Sequence, residues 1–216
     1  NNAMNTNLKT TKVLCYGDSN TWGYIPKTGH RYPKNQRWTG ILQEMLGHNF
    51  EVIEEGLNSR TTIIDDSKHI GKNGLTYLIP CLETHNPIDY VILMLGTNDL
   101  KERFSRTPEQ VAEGVEALIK NINEFAHDVD DKTPKMILVC PTIIDESVSG
   151  VEEKYLGAES KSKQFPELYQ TLAVKYQCAF INLQDYVAPS KKDGYHFDID
   201  THQKVANIIH DVIKAE

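Results

Sequence analysis

Short apolar runs alternate along this chain with stretches whose apolar residues recur at helical spacing, and this alternation limits the possible folds. The five apolar runs lie at 13–16, around 52–53, at 90–95, at 136–140 and at 179–183. The helical patterns, with an apolar residue every three or four positions, lie at 38–46, 75–82, 111–122, 165–176 and 205–213. Uninterrupted apolar strands are typical of a sheet buried on both faces. The pattern therefore predicts a three-layer α/β/α sandwich with a five-stranded parallel sheet.

A single domain is predicted over residues 12–216, because 39% of the 216 residues are hydrophobic, enough for one substantial core. The polar residues 1–11 are expected to be a disordered N-terminal segment or an expression remnant. They lack the apolar core of a signal peptide, and no later stretch approaches the ~20 apolar residues of a membrane span. A cytoplasmic protein is therefore expected. Residues 142–160 are predicted to be one long structureless segment, serving as an active-site or interface loop or being mobile.

The charge and the cysteines exclude several kinds of partner. A formal net charge of -7 argues against binding to nucleic acid or to an anionic membrane, since both attract clustered lysine and arginine. The charged stretch 101–106 is interpreted as a solvated loop. The four cysteines are far apart in the sequence, as is typical of reduced core thiols. Because the sequence shows no CxxC spacing and no close Cys/His cluster, no structural metal is expected.

Reactive side chains follow four of the five predicted strands. The segments are 17–20 (GDSN), 56–60 (GLNSR), 96–99 (GTND) and 193–196 (DGYH). In an open parallel sheet, ligands bind beyond the carboxyl ends of the strands, so the fold would bring these segments into one crevice.

Each segment alone has an ordinary structural explanation. Ser19 could cap a helix, Asn98 could hold a turn, and Asp193 could begin one. Together with His196 they supply a serine nucleophile, a base, a carboxylate to orient the base and an amide donor for an oxyanion. Acyl transfer through a serine requires these four groups, so the combination favours a serine hydrolase.

These segments, in this order, resemble those of the GDSL/SGNH hydrolases, and the bacterial arylesterase/acyltransferase branch in particular. The likeness runs from Val13 to the end, is poorest over 142–160, and rests on GDSNTWG (17–23), RWTG (37–40), FEVIEEG (50–56), residues 60–62, MLGTND (94–99) and DGYHF (193–197). The resemblance implies that Ser19 is the nucleophile and that Asp193 and His196 complete the triad. It also implies an oxyanion hole built from the Asn98 side chain and the Ser19 amide.

One segment departs from the family. The second block is often Gly-x-Ser-Gly-x-Thr, and alignment on Gly56 and Thr61 places Asn58 and Ser59 on the Ser-Gly pair. The resemblance then assigns the third oxyanion donor to the Ser59 amide, which any residue except proline can supply.

The function implied is hydrolysis of small carboxylic esters through an acyl-enzyme, without a cofactor, with acyltransferase or perhydrolase activity as a second outcome. The resemblance also implies a homo-oligomer. Carbohydrate acetylesterase, thioesterase and lysophospholipase activities stay open, as does a catalytically inactive binding member of the fold. The alternative from another class is a flavodoxin-like protein that holds a phosphate or nucleotide at residues 17–21. Aromatic residues near the motifs could line the pocket, and these are Trp22, Tyr24, Phe104, Tyr195 and Phe197.

Overall fold

Five parallel strands form the centre of the protein in a computed structural model that describes residues 9–215. The strands are β1 (Thr11–Gly17), β2 (Phe50–Gly56), β3 (Tyr90–Met94), β4 (Lys135–Cys140) and β5 (Ala179–Asn182). Their order is β2-β1-β3-β4-β5, and every neighbouring pair is parallel. Every residue of the central β3 is buried. The predicted parallel sheet is confirmed.

Helices cover both faces of the sheet. Those within residues 9–215 are α1 (Ser19–Trp22), α2 (Trp38–Leu46), α3 (Gly74–His85), α4 (Pro108–Phe125), α5 (Glu152–Tyr155), α6 (Ala158–Ser162), α7 (Phe165–Tyr176) and α8 (Ile199–Lys214). One core packs α3, α4 and α7 against one face, and a second packs α2 and α8 against the other. Successive strand residues point to opposite faces, so Leu14 joins the first core and Val13 the second. The predicted three-layer sandwich is therefore confirmed.

Helix α4 begins where its sequence predicts. The Thr107 hydroxyl accepts a hydrogen bond from the Gln110 amide at 3.1 Å, and the Gln110 side chain accepts one from the Thr107 amide at 2.9 Å. Pro108 occupies the first helical position. This reciprocal pair is the capping box expected from the sequence Thr-Pro-Glu-Gln.

The prediction that residues 142–160 lack structure is wrong. Helix α5 and the start of α6 lie within this segment. Val151, Tyr155 and Ala158 are buried in the first core at helical spacing. The helices are short because Gly157, at a φ of +82°, separates them in a left-handed conformation. A pattern of only two turns carries too few apolar repeats to distinguish a helix from a loop.

The N-terminal prediction is only partly covered. Residues 1–8 of the segment 1–11 lie outside the described residues, and β1 begins at Thr11, one residue before the predicted start of the domain. All four cysteines are free thiols, three of them buried. Across residues 9–215, the helices are too short or too polar to cross a membrane.

Candidate active site

The site lies where the strand order reverses. From β1 the chain continues to β2 on one side and returns to β3 on the other. Ser19 begins α1 directly after β1, and Asn98 begins a short 3₁₀ turn after β3. Adjacent loops diverge at such a point and leave a crevice at the carboxyl end of the sheet. The fold therefore brings the first and third predicted segments together.

Ser19, His196 and Asp193 form a continuous chain of hydrogen bonds. His196 Nε2 lies 2.9 Å from Ser19 Oγ, and His196 Nδ1 lies 2.6 Å from Asp193 Oδ2. Each of the three residues is less than 9% exposed. An imidazole that donates from Nδ1 to the carboxylate presents Nε2 as an acceptor for the serine proton. The structure thus brings together, in the predicted order, the serine, histidine and aspartate that the sequence assigns to a triad.

The Asp193 carboxylate is held by backbone as well as by the imidazole. Its Oδ1 accepts from the amides of Tyr195 and His196 at 3.1 and 3.0 Å. Burial alone would raise the pKa of Asp193, but the hydrogen bonds and charge of His196 and these two amides hold it below its usual value. The carboxylate therefore stays ionised beside the imidazole.

Asn20 joins the serine helix to the histidine loop. Its Nδ2 donates to the Tyr195 carbonyl at 3.1 Å, and its Oδ1 accepts from the Phe197 amide at 3.0 Å. These bonds hold the backbone on both sides of His196. The ring of Tyr24 stacks on the imidazole with centroids 4.4 Å apart. Asn20 was not among the predicted site residues, although it lies within the GDSN segment.

The three residues predicted to donate to an oxyanion, Ser19, Ser59 and Asn98, line one cavity. The side-chain amide of Asn98 donates one proton to the Arg60 carbonyl at 3.1 Å, which leaves its second proton available. The amide of Ser19 is at a helix N-terminus, where N–H groups lack an intrahelical partner. Ser59 has a left-handed backbone with a φ of +66°, and within residues 9–215 its amide has no backbone acceptor.

Cross-loop contacts fix the relative positions of these groups. Arg60 Nη1 donates to the Gly17 carbonyl at 2.9 Å, which links the loop after β2 to the end of β1. The Asp99 carboxylate accepts from the Thr62 amide and hydroxyl at 2.8 and 2.6 Å, which links the loops after β3 and β2. A Cβ on Gly56 would lie 2.3 Å from the Trp22 amide nitrogen, so only glycine lets α1 pack this closely against β2.

A small cavity, here called the Ser19 cavity, has a volume of about 100 Å³. Its walls include Ser19, Ser59, Asn98 and His196, together with Asn58, three tyrosines and two lysines. Four of the five predicted site residues therefore line one cavity, and the fifth, Asp193, supports it from behind His196. A larger cavity of about 690 Å³ lies beside β2 and α3 and contains none of them.

Several residues of the Ser19 cavity were not predicted. Lys101 is only 6% exposed, so the interpretation of residues 101–106 as a solvated loop is wrong at its first position. Lys154 and Tyr155 enter the cavity from the segment 142–160. Among the aromatic candidates, Tyr24 and Tyr195 line the cavity.

The other aromatic candidates do not reach the Ser19 cavity. Phe197 is fully buried in the second core. Trp22 and Phe104 are each covered by an arginine, Arg31 at 5.1 Å and Arg103 at 4.8 Å from the ring centroid.

The sequence-based statement that no close Cys/His cluster is present missed one pair. Cys81 and His85 are one turn apart on α3, and with Glu55 they place three donor atoms within 4.8 Å of one another. His85 Nε2 lies 2.8 Å from Glu55 Oε2, and Tyr77 donates to the same carboxylate. A hydrogen bond between the His85 ring and the Glu55 carboxylate, with a second one from the Tyr77 hydroxyl, explains this cluster.

The fold and the site define a class. A parallel sheet of order 2-1-3-4-5, with serine, histidine and aspartate hydrogen-bonded at its carboxyl end, is the arrangement of the SGNH hydrolases. The chain belongs to the GDSL-like lipase/acylhydrolase family, whose sequence pattern matches residues 15–210. It is thus an ester-bond hydrolase, as predicted.

Solved structures support the same assignment. An aryl esterase from M. smegmatis is 35% identical with a TM-score of 0.89, covering 95% of this chain and 99% of its own. A carbohydrate acetylesterase from Sinorhizobium meliloti is 38% identical with a TM-score of 0.89 and the same coverage. A putative arylesterase from Agrobacterium tumefaciens is 29% identical with a TM-score of 0.85, over 95% of this chain and 99% of its own. Comparison with curated proteins gave no match.

Proposed function

We propose that this protein is a serine esterase that hydrolyses small carboxylic esters through an acyl-enzyme on Ser19. The observation that carries the proposal is the buried chain of hydrogen bonds from Ser19 through His196 to Asp193, at 2.9 and 2.6 Å. A serine hydroxyl is a weak nucleophile unless an adjacent base takes its proton, and this base is within hydrogen-bonding distance.

In the proposed reaction, Ser19 Oγ attacks the ester carbonyl and His196 Nε2 accepts the serine proton. The tetrahedral intermediate collapses, the bond to the alcohol oxygen breaks, and His196 returns the proton to the departing alcohol. Water then attacks the acyl-enzyme, with His196 again as base, and releases the acid. Asp193 orients the imidazole and stabilises its protonated form.

The oxyanion would be stabilised by the Asn98 side chain and by the amides of Ser19 and Ser59. Such donors act on charge that develops in the transition state, and each contributes ~10²–10³ in kcat. The hydrogen bonds from Asn98 to Arg60 and from Arg60 to Gly17 support this role, because they hold the donor loops against each other before substrate binds.

The Ser19 cavity favours a short acyl group, because at about 100 Å³ it is much smaller than the ~300–1,000 Å³ pockets that hold drug-sized ligands. The similar aryl esterase and carbohydrate acetylesterase make aryl and sugar acetates the first substrates to test. An alcohol or hydrogen peroxide could replace water as acyl acceptor, which would give acyltransferase or perhydrolase activity. Longer-chain lipase activity receives no support from a cavity of this size.

A phosphate-binding function is less well supported. The Asp18 carboxylate caps α1 by accepting from the Asn20 amide at 3.0 Å, so an acidic side chain occupies the position that a phosphate would take. Burial raises the pKa of this carboxyl to about 6, which leaves it ionised at neutral pH. Its charge would oppose an anion at this helix.

The test measures hydrolysis of p-nitrophenyl esters of rising acyl length by the wild type, Ser19→Ala, His196→Ala and the double variant. We expect the highest rate on acetate and a similar loss in all three variants, since the two residues act as one unit. A fluorophosphonate should label Ser19. Ser160→Ala, at an exposed position of α6, is the matched control and should remain active and labelled. Additive losses, or labelling at another serine with loss of activity, would overturn the proposal.

A further inference from the structure

Lys101 is a buried cation in the wall of the Ser19 cavity. It directly follows the 3₁₀ turn that begins at Asn98, and only 6% of it is exposed. Within residues 9–215, its ammonium group makes no hydrogen bond or ion pair with a protein acceptor. The ammonium group is not among the fully buried unpartnered atoms, so it remains open to the cavity. Because buried charges in proteins are normally paired, an anion that enters the cavity would supply the missing partner.

The surrounding charges leave Lys101 unpaired. Asp66 is engaged by Arg103, and Asp18 accepts from the Asn20 amide. Lys154 lines the same cavity, whereas no aspartate or glutamate among the described residues does. The Ser19 cavity is therefore a cationic site in a chain of net charge -7. A cleft lined by one sign of charge attracts a ligand of the opposite sign.

The ligand is also restricted in size and position. Ser19 and Lys101 line a cavity of about 100 Å³, so a group bound by Lys101 is only a few atoms from the ester that Ser19 attacks. A planar carboxylate accepts a short, charge-assisted hydrogen bond from an ammonium group.

We propose that the preferred substrates are small esters that carry a carboxylate a few atoms from the scissile carbonyl, and that Lys101 binds this carboxylate. The inference rests on the proposed esterase function and names the substrate class of that site. The carboxylate belongs to either the acyl or the alcohol part of the ester, and the experiment separates these two sources.

The experiment compares kcat/KM within two pairs of esters that differ only in charge. The alcohol pair is acetoxyacetate and 2-acetoxyacetamide, in which the charged or neutral group is separated by two atoms from the scissile ester carbonyl. The acyl pair is monomethyl succinate and methyl succinamate, and hydrolysis of this pair is measured by the methanol released. We expect the wild type to prefer the anionic member of at least one pair by about 10- to 100-fold, the range of one hydrogen bond to a charged group.

Three variants assign the preference to Lys101. Lys101→Met keeps the length of the side chain without its charge and should reduce the ratio to near one. Lys101→Arg should restore much of it, because the cation returns. Lys120→Met, on the exposed face of α4, removes the same unit of charge and should leave the ratio unchanged.

The wild type alone gives an independent readout. Burial, with repulsion from Arg103 and Lys154 outweighing attraction to Asp66 and Asp18, lowers the pKa of Lys101 to about 8. The anionic-to-neutral ratio should therefore fall as the pH rises through this value. Both members of a pair are hydrolysed by the same catalytic groups, so the ratio cancels the pH dependence of the shared chemical step.

The outcomes separate the two proposals. Equal rates within both pairs, or a preference that survives Lys101→Met in the folded protein, would overturn the role of Lys101 while the esterase function stood. If no ester of either pair, nor p-nitrophenyl acetate, were hydrolysed in a Ser19-dependent way, the esterase function itself would fail. Should Lys101→Met not fold, the wild-type ratios and their pH dependence decide.

Discussion

The left-handed backbone of Ser59 allows the proposed oxyanion loop to be tested without removing a donor. Its φ is +66°, a conformation that costs an L-residue about 1–2 kcal/mol but costs glycine almost nothing. Glycine also raises the entropy of the unfolded chain, which offsets about 0.4–1 kcal/mol of the gain. We therefore expect Ser59→Gly to be stabilised by up to about 1 kcal/mol, or roughly 2–4 °C in Tm for a chain of this size.

The same substitution should leave catalysis nearly intact. Within residues 9–215 the Ser59 hydroxyl makes no hydrogen bond, and both Ser59→Gly and Ser59→Ala keep the backbone amide. Loss of one oxyanion donor would lower kcat by ~10²–10³, so a change within about threefold shows that the donor remains. The assay is kcat on p-nitrophenyl acetate for both variants beside Ser19→Ala, with thermal melts of each.

Two results would refute this reasoning. A folded Ser59→Ala as inactive as Ser19→Ala would show that the hydroxyl, rather than the amide, takes part. A Ser59→Gly variant with a Tm several degrees lower would contradict the left-handed conformation. Ser59→Pro is not a usable test, because proline fixes φ near -65° and cannot adopt +66°, so it would disrupt the loop as well as remove the amide.

Three further predictions concern the surroundings of the site. Asn98→Ala should lower kcat by ~10²–10³ with a smaller change in KM, and a folded variant with near wild-type kcat would remove Asn98 from the oxyanion hole. Asn20→Asp keeps the acceptor for the Phe197 amide but loses the donor to the Tyr195 carbonyl. We expect kcat to fall about fivefold, since one such bond is worth ~1 kcal/mol and His196 would shift, whereas an unchanged kcat with a lower Tm would leave Asn20 a purely structural role. Burial lowers the pKa of His202 to about 3, so its contribution to stability is present above about pH 6.5 and lost as the pH falls toward 3. The free energy of unfolding, measured by urea denaturation, should decrease between pH 7 and pH 5 in both His202→Gln and the exposed control His48→Gln. The decrease should be smaller in His202→Gln by on the order of 2 kcal/mol, and equal decreases would contradict the assignment.

The strands and the main helices could be predicted because each buries a continuous or periodic set of apolar residues. The signal was weakest for β2, an edge strand whose only apolar centre is Val52–Ile53 and whose residues are mostly half-buried. It failed for α5 and α6, which are about one turn each and are separated by Gly157. Periodicity identifies an element only when the element is long enough to repeat.

The reactive residues could be predicted because strand ends in a parallel sheet converge by topology alone. The spacing places Ser19, Asn98 and His196 at one edge before any side chain is considered. Asn20 and Lys101 could not be found in this way, since one acts through a loop 175 residues away and the other is buried only by tertiary packing. The predicted homo-oligomer, and the absence of cofactors, stay predictions.

The position of Ser19 is a property of the packing around it rather than of its own helix. Helix α1 has four residues, far fewer than an isolated helix needs to be stable in water. It is held from outside: the Trp38 indole donates to the Asn20 carbonyl at 2.9 Å, and Gly56 admits the backbone of Trp22 against the end of β2. Changes at Trp38 or Gly56, which touch no substrate, would therefore shift the nucleophile relative to the rest of the cavity. Because His196 is tied to the same helix through Asn20, the serine and its base would move together only when that tie is intact.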